Sequence, residues 1–427
     1  MKSKYKPYPS YKDSWLEWLG DVPEHWDTSR LKFLCDITTG GKDTENKVDD
    51  GQYPFYVRSQ TVERINSYSY NGEAILTAGD GVGVGKVFHY TTGKFDFHQR
   101  VYMFYHFKRV AGRFLFEYIK NNFYKVALAG VAKSTVDSLR LPLIQNFMIT
   151  VPPLQEQQAI VNYLDSATAK IDTLIEKQTK LIALLKEKRQ AVISTAVTRG
   201  LDNTVAMKDS GVEWLGEIPE HWRMSKLKYD SYIKARVGWH GLTSDELFED
   251  GDAYAVTGSD FSGNTINWEK CRKCTLERYK QDRFIQLQDN DLLVTKDGTI
   301  GKIIKVNKLP NIATLNGGIF VIRPLHEKYN TSYYYWLLVS TVFKGFVSYY
   351  KTGSTISHIY QDTFCQMPYA LPSLKEQLTI VKYLNNKTSK IDILVDKATK
   401  AIDLLKERRT ALISAVVTGK IDVREIA

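Results

Sequence analysis

The sequence predicts an α/β (α+β) fold: two globular domains separated by an antiparallel two-helix coiled coil, pseudo-two-fold and circularly organised. Three observations predict it. A tryptophan-rich motif at 13–26 returns 196 residues later, at 209–222. A longer block at 152–202 returns ungapped 220 residues later with identity at roughly half its positions. The stretches between short and long blocks share only fragments, and the second is 24 residues longer.

In chain order, the first motif runs Asp13-Ser14-Trp15-Leu16-Glu17-Trp18-Leu19-Gly20-Asp21-Val22-Pro23-Glu24-His25-Trp26, an arm within residues 1–26. Residues 27–150 form the first variable domain. Glycine-broken apolar runs such as Ala74-Ile75-Leu76-Thr77 predict strands, and Phe114 to Ile119 carries aromatics at helical spacing, which reads as core. Gly81-Val82-Gly83-Val84-Gly85-Lys86 imitates a phosphate loop, but Asp80 takes the first glycine position and Val87 follows the lysine. A strand-turn-strand holding a lysine near phosphate accounts for it better.

The long block, 151–202, places Leu164, Ala167, Ile171, Leu174, Gln178, Leu181, Leu185 and Val192 on one helical stripe, with Ile175 and Ile182 widening it. Pro152-Pro153 suits the entrance and Gly200 the exit, giving a helix of about 65–70 Å. Residues 203–222 hold a linker and the repeated arm. The second variable domain, 223–370, has strand-like Leu292-Leu293-Val294-Thr295 and Gly318 to Ile322 and an aromatic helix at Tyr333 to Leu338. The distal block, 371–427, repeats the stripe with Leu384, Ile391, Leu394, Ala398, Ala401, Leu405 and Leu412, flanked by Val395 and Ile402, and ends at Gly419.

A helix this long with one apolar stripe needs a partner, and the nearest is its duplicate. Connectivity favours an antiparallel pair, with each variable domain at one end; the alternative is two helices packed on their own domains. No run of about 18 apolar residues occurs and the first residues lack a signal-peptide core, which predicts a cytoplasmic protein with no membrane partner. Four cysteines, including Cys271-Arg272-Lys273-Cys274, provide neither a disulfide framework nor a second pair for zinc, so no metal site is expected.

The net charge of +10 favours an acidic partner, and two unlike domains held on a rod suit two half-sites on duplex DNA, spaced by about 34 Å or a multiple. Reading bases needs paired donors and acceptors, and holding register needs cations and hydroxyls. The polar loops offer Arg58, Gln60, Lys86, Gln99, Arg100, Lys133 and Ser134 in the first domain. In the second they offer Arg236, His240, Ser259, Lys296, Lys302, Lys351, Ser354 and His358. HExxH, GxSxG, methyltransferase glycine and Asn-Pro-Pro-Tyr motifs do not occur, so no catalytic residues are assigned. A protein-binding scaffold and a self-contained DNA-modifying enzyme are the competing readings.

Val151-Pro152-Pro153-Leu154-Gln155-Glu156-Gln157 and Leu371-Pro372-Ser373-Leu374-Lys375-Glu376-Gln377 open the two helices. Lys-Ile-Asp-x-Leu follows at 170–174 and 390–394, then Leu-Leu-Lys-Glu, and both arms carry Trp-Leu-Gly-x-x-Pro-x-His-Trp. In these features the chain resembles the specificity subunit of type I restriction-modification systems along essentially its whole length. The resemblance implies two target recognition domains, each reading half of a split asymmetric DNA sequence, and a coil that sets the spacer. It implies as partners double-stranded DNA, two modification (methyltransferase) subunits and restriction (ATP-dependent translocase and nuclease) subunits, docked through the coil and the arm tryptophans Trp18, Trp26, Trp214 and Trp222. It implies no cofactor on this chain, S-adenosylmethionine, ATP and Mg being used by the partners. Gly353-Ser354-Thr355-Ile356 matches a family segment; the first half departs from it at Gly130 to Val136.

Overall fold

The computed structural model describes residues 6–127, 139–236, 241–298, 300–351 and 358–425. Two compact units divide the chain: Met1–Thr179 with Thr399–Ala427, and Lys180–Ala398. The helices α1 (Leu154–Arg199) and α2 (Leu374–Val417) each contribute to both units. Both stop where predicted, at Gly200 and Gly419, each left-handed at φ +76°.

In the first unit, β1 (Asp36–Thr39), β2 (Ala74–Ala78), β3 (Phe88–Thr91) and β4 (Val101–Tyr105) form an antiparallel sheet in the order β1-β4-β2-β3. A second sheet pairs Tyr53–Tyr56 in parallel with Lys94–Phe97. Side chains alternate across a strand, so adjacent residues serve different cores. Leu76 and Met103 face a core with Phe95 and Phe97. Ile75 and Phe104 face the other way, onto Phe114, Leu115 and Tyr118 of the helix Gly112–Asn122 and onto Ile160, Leu164 and Ile171 of α1 with Leu412 and Val416 of α2. The reader domain and the helix pair thus share one apolar core of the kind that dominates folding energetics.

The second unit repeats this plan in a different sequence. Strands β5 (Ser231–Ala235), β6 (Leu292–Thr295), β7 (Ile303–Lys305) and β8 (Ile319–Pro324) lie in the order β5-β8-β6-β7, again antiparallel. Ala253–Val256 again runs parallel to a neighbour, Ala313–Leu315. Leu293 and Val321 face one core; Leu292, Val294, Phe320 and Ile322 face another with Tyr333, Leu337, Ile193 and Val197 of α1, and Ile380 and Leu384 of α2.

Within each unit the helices run antiparallel. In the first, Arg409 Nε donates to Asp172 Oδ1 at 2.9 Å, and Ile171, Ile175, Leu405 and Leu412 share a cluster. In the second, Arg189 Nε donates to Asp392 Oδ1 at 2.8 Å. Leu164, Ile171, Leu185, Val192, Leu384, Ile391, Leu405 and Leu412 are withdrawn from solvent as expected. Leu174, Leu181 and Leu394 correct the predicted seam: they are 47%, 43% and 50% exposed. Ile175, Ile182 and Val395 stand in their places. Neighbouring residues lie about 100° apart around a helix, so only one of each adjacent apolar pair can face the partner. Here the β-branched member does.

Candidate nucleic-acid interface

The frame that holds each reader domain is built from the arm and the helix entrance. Both arms are hairpins: Tyr11–Asp13 pairs antiparallel with Asp21–Pro23, and Met207–Asp209 with Glu217–Pro219. Behind the first, Glu156 of α1 accepts from Tyr8 Oη at 2.5 Å and Trp26 Nε1 at 3.1 Å, and lies 2.9 Å from His25 Nε2. Behind the second, Glu376 of α2 lies 2.8 Å from His221 Nε2 and accepts from Trp222 Nε1 at 3.2 Å. Partial burial pushes the Glu376 carboxyl up, but donors from His221, Trp222 and Ser373 together hold it below its usual value.

The next residue fixes the reader domain. Gln157 accepts from the Ala111 N–H at 2.7 Å and donates to the carbonyls of Arg109 and Pro152; Gln377 accepts from the Asn330 N–H at 2.7 Å and donates to that of Pro372. The arm also packs on a helix exit. A Cβ on Gly419 would lie 2.3 Å from Pro23 Cδ, and one on Gly200 would lie 3.3 Å from Trp222 Cζ2. Trp26 therefore sits between the start of α1 and the end of α2, and Trp222 between the start of α2 and the end of α1.

This corrects the docking role expected of two of the four arm tryptophans. Trp26 and Trp222 are fully buried. Trp18 stacks on Phe147 at 5.7 Å, and Trp214 packs on Tyr349 at 4.9 Å. Trp26 and Trp222 hold each arm onto its own unit, because an indole between two helix ends removes more apolar surface from water there than it could at a rim, while Trp18 and Trp214 remain half-buried. Glu156, Gln157, Glu376 and Gln377 are the residues that sequence reasoning passed over. Their signal was present in the repeated Glu-Gln at each helix entrance.

In the first reader domain the structure brings the described candidates together at one surface. Asp80, just after β2, accepts from Arg58 Nη1 at 2.9 Å, with Arg100 Nε at 3.7 Å. Gln60 donates to the Lys86 carbonyl at 3.1 Å, and Gln99 to Asp43 Oδ2 at 2.6 Å. Gln60, Lys86, Gln99 and Arg100 are exposed. Behind them burial pushes His98 below 6.5, opposed by Asp43. The turn Gly81–Gly83 connects β2 and β3, as the strand-turn-strand reading required, and Gly81 and Gly85 take φ +74° and +68°. Its tip, Val82, is 88% exposed and was not among the candidates. A cavity of about 340 Å³ beside the tip is lined by Thr44, Arg58, Ser59 and Asp80. Lys133 and Ser134, with Gly130 to Val136, lie outside the described residues.

The second domain sets two of its candidates, Lys296 and His358, against the matching aspartate. Asp297 follows β6 as Asp80 follows β2; it hydrogen-bonds His358 Nδ1, with Lys296 Nζ at 3.5 Å. Lys302 and Ser259 are exposed, the latter sharing a hydrogen bond with Thr257 at 2.7 Å. Two assignments change. Arg236 is buried, donating to the Leu315 carbonyl at 2.7 Å and to Thr314 Oγ1 at 3.0 Å, and desolvation depresses its basicity. It ties the two sheets together and offers nothing to a phosphate. Lys296 is also largely covered, its side chain 14% exposed and laid over the Phe320 ring. His240 and Ser354 lie outside the described residues, as does the side chain of Lys351.

Among the described residues no group of three or more His, Cys, Asp or Glu could hold a metal, and no helix is long and apolar enough to cross a membrane. Cys271 and Cys274 are buried free thiols whose ionisation desolvation opposes.

Residues 23–184 and 241–402 each match the family model described as type I restriction modification DNA specificity domain. The chain is 24% identical to the EcoDI type I restriction enzyme specificity subunit of Escherichia coli, over 94% of this chain and 90% of that one. It is 25% identical to the MjaVIII specificity subunit of Methanocaldococcus jannaschii, over 95% of both. Among solved structures, one chain from work on complex assembly and conformational transition of the type I R-M system aligns with TM-score 0.72 at 15% identity, covering 94% of this chain and 99% of that one. The HsdS subunit from Thermoanaerobacter tengcongensis aligns with TM-score 0.53 at 15% identity, covering 94% and 98%.

Proposed function

The chain belongs to the type I restriction-modification DNA specificity family, as a non-catalytic subunit with two DNA target recognition domains, and from that premise we propose how it reads. Each domain contacts one half of a bipartite, asymmetric target, and the helix pair sets the spacer. The observation that carries this reading is one strand order built twice from unlike sequences, each copy following a central strand with an aspartate that gathers basic side chains beside a glycine turn.

In the first domain Arg58 and Arg100 suit guanine edges or phosphates, Gln60 and Gln99 suit adenine, and the Val82 methyls suit the thymine methyl. In the second, Lys302, Ser259 and His358 take the corresponding tasks. Modification subunits dock beside the helices and arms. Supporting this are the exposed leucines on the outer faces: Leu174 and Leu404 in one unit, Leu184 and Leu394 in the other. S-adenosylmethionine, ATP and Mg stay on the partner subunits, and the assembly works in the cytoplasm on duplex DNA together with restriction subunits.

Genome-wide mapping of methylated adenines tests the reading. Cells carrying the wild-type system should show one split motif, and Arg58→Ala with Arg100→Ala should relax one half of it only. Relaxation of both halves together, or no motif dependent on the chain, would sink it.

A further inference from the structure

The two arms share sequence and backbone, and they differ at one position that conformational energetics singles out. In the second arm Gly211 sits at φ +68°, its N–H bonded to Asp209 Oδ1 at 2.9 Å. In the first, Trp15 occupies the same turn at φ +59°, its N–H bonded to Asp13 Oδ1 at 2.8 Å. The flanking bonds repeat as well: Leu16 N–H to Ser14 Oγ and Val212 N–H to Ser210 Oγ, both 3.2 Å. A left-handed backbone suits glycine and strains a bulky L-residue, and an indole 88% exposed returns nothing to the fold for that strain. Strained, solvent-facing aromatics of this kind belong to contact surfaces.

The arm's charge limits what the contact can be. In a chain of net charge +10, this hairpin exposes Asp13, Glu17, Asp21 and Glu24 against Lys12, and its duplicate exposes Asp209, Glu213, Glu217 and Glu220 against Lys208 and against Arg199, which pairs with Glu217 at 2.9 Å. Lys125 lies over Trp18, and Lys420 donates to the Asp21 carbonyl, both on the arm's packed side. A net acidic surface of this kind disfavours phosphate and so favours a protein partner over DNA. A second copy meeting it isologously would set carboxylates against carboxylates. What fits is a different protein with an apolar pocket and a basic rim, taken once by each arm.

We propose that Trp15 anchors a modification subunit on the first arm and so makes the two docking positions unequal, the first tighter than the one at Gly211. This rests on the reading that modification subunits dock on this chain. The full chain, co-expressed with the modification subunit of the same restriction system, is followed by mass photometry on dilution. The wild type should pass through a broad range populated by the one-to-one species. Trp15→Gly should weaken the tighter step at least about ten-fold and merge the two steps, with Trp15→Phe in between. The same Trp15→Gly should raise the melting temperature of the isolated chain, since glycine is unstrained there; a residue of purely structural use would lower it.

Unchanged stepwise constants, or affinity and melting temperature falling together, would overturn the proposal. So would self-association of the chain alone that Trp15→Gly abolishes. Failure of wild type and variant alike to bind the modification subunit would instead remove the docking reading on which it stands.

Discussion

Glu156 and Glu376 perform one task in two environments, and the difference sets what each is worth. Glu156, 6% exposed, satisfies Tyr8, His25 and Trp26 at once; the Glu376 side chain is 36% exposed. Removing an acceptor from buried donors costs about 1–3 kcal/mol, and less where water can replace it. Glu156→Ala should therefore lower chemical-denaturation stability by an amount in that range, and Glu376→Ala by clearly less; equal losses would refute the clamp. Val82 is argued from the same scale. If its methyls meet a thymine methyl, replacing that thymine by deoxyuridine should weaken wild-type binding several-fold and leave Val82→Ala indifferent, in a fluorescence-anisotropy titration. Burial holds His89 and His98 below 6.5, with Ser59 and Lys120 facing the first and Asp43, Arg58 and Asp80 the second. Both depressions mean that the unfolded state takes up protons first. Stability should be fully present above about pH 6.5 and fall as pH drops through the lower folded values, a slope that His89→Gln with His98→Gln flattens in thermal melts.

At the scale of elements, the seam offers a paired test. Ile175→Asp places a charge between packed helices and should cost several kcal/mol, about 2–5 for loss of the apolar contact alone, whereas Leu174→Asp should leave thermal stability within about 0.5 kcal/mol. A larger loss at Leu174 would return the seam to the register first read from sequence. That register shows what was legible and what was not. Helix length, its proline entrance and its glycine exit depend on local backbone chemistry, which the sequence states directly. The choice between Leu174 and Ile175 depends on the facing helix, and a stripe two residues wide admits both. The same limit explains Arg236: a loop arginine beside glycine reads as a phosphate ligand until strand pairing places Thr314 and the Leu315 carbonyl around it. The strands at Ala74 and Leu292 were visible from their apolar runs. Their common order was not, because it is set by pairings between segments far apart in sequence.

At the scale of the whole molecule, duplication separates what is kept from what varies. The Trp-Glu clamp, the Gln tie and the glycine exit occur in both copies with matching geometry, while the reader strands between them share order without sequence. A frame that repeats so closely offers either reader the same seat: a glutamine tie to a backbone N–H, of Ala111 or of Asn330, and the same apolar helix positions, Ile160, Leu164 and Val417 in one copy and Ile380, Leu384 and Val197 in the other. Replacing the second reader, 223–370, by the first, 27–150, should therefore yield a folded chain whose two halves seek the same bases. Methylome mapping should then return the first half-site on both sides of the spacer in place of the asymmetric motif. A folded exchange chain that still marked the asymmetric sequence would place specificity in the frame, and the assignment of one half-site to each reader would fail.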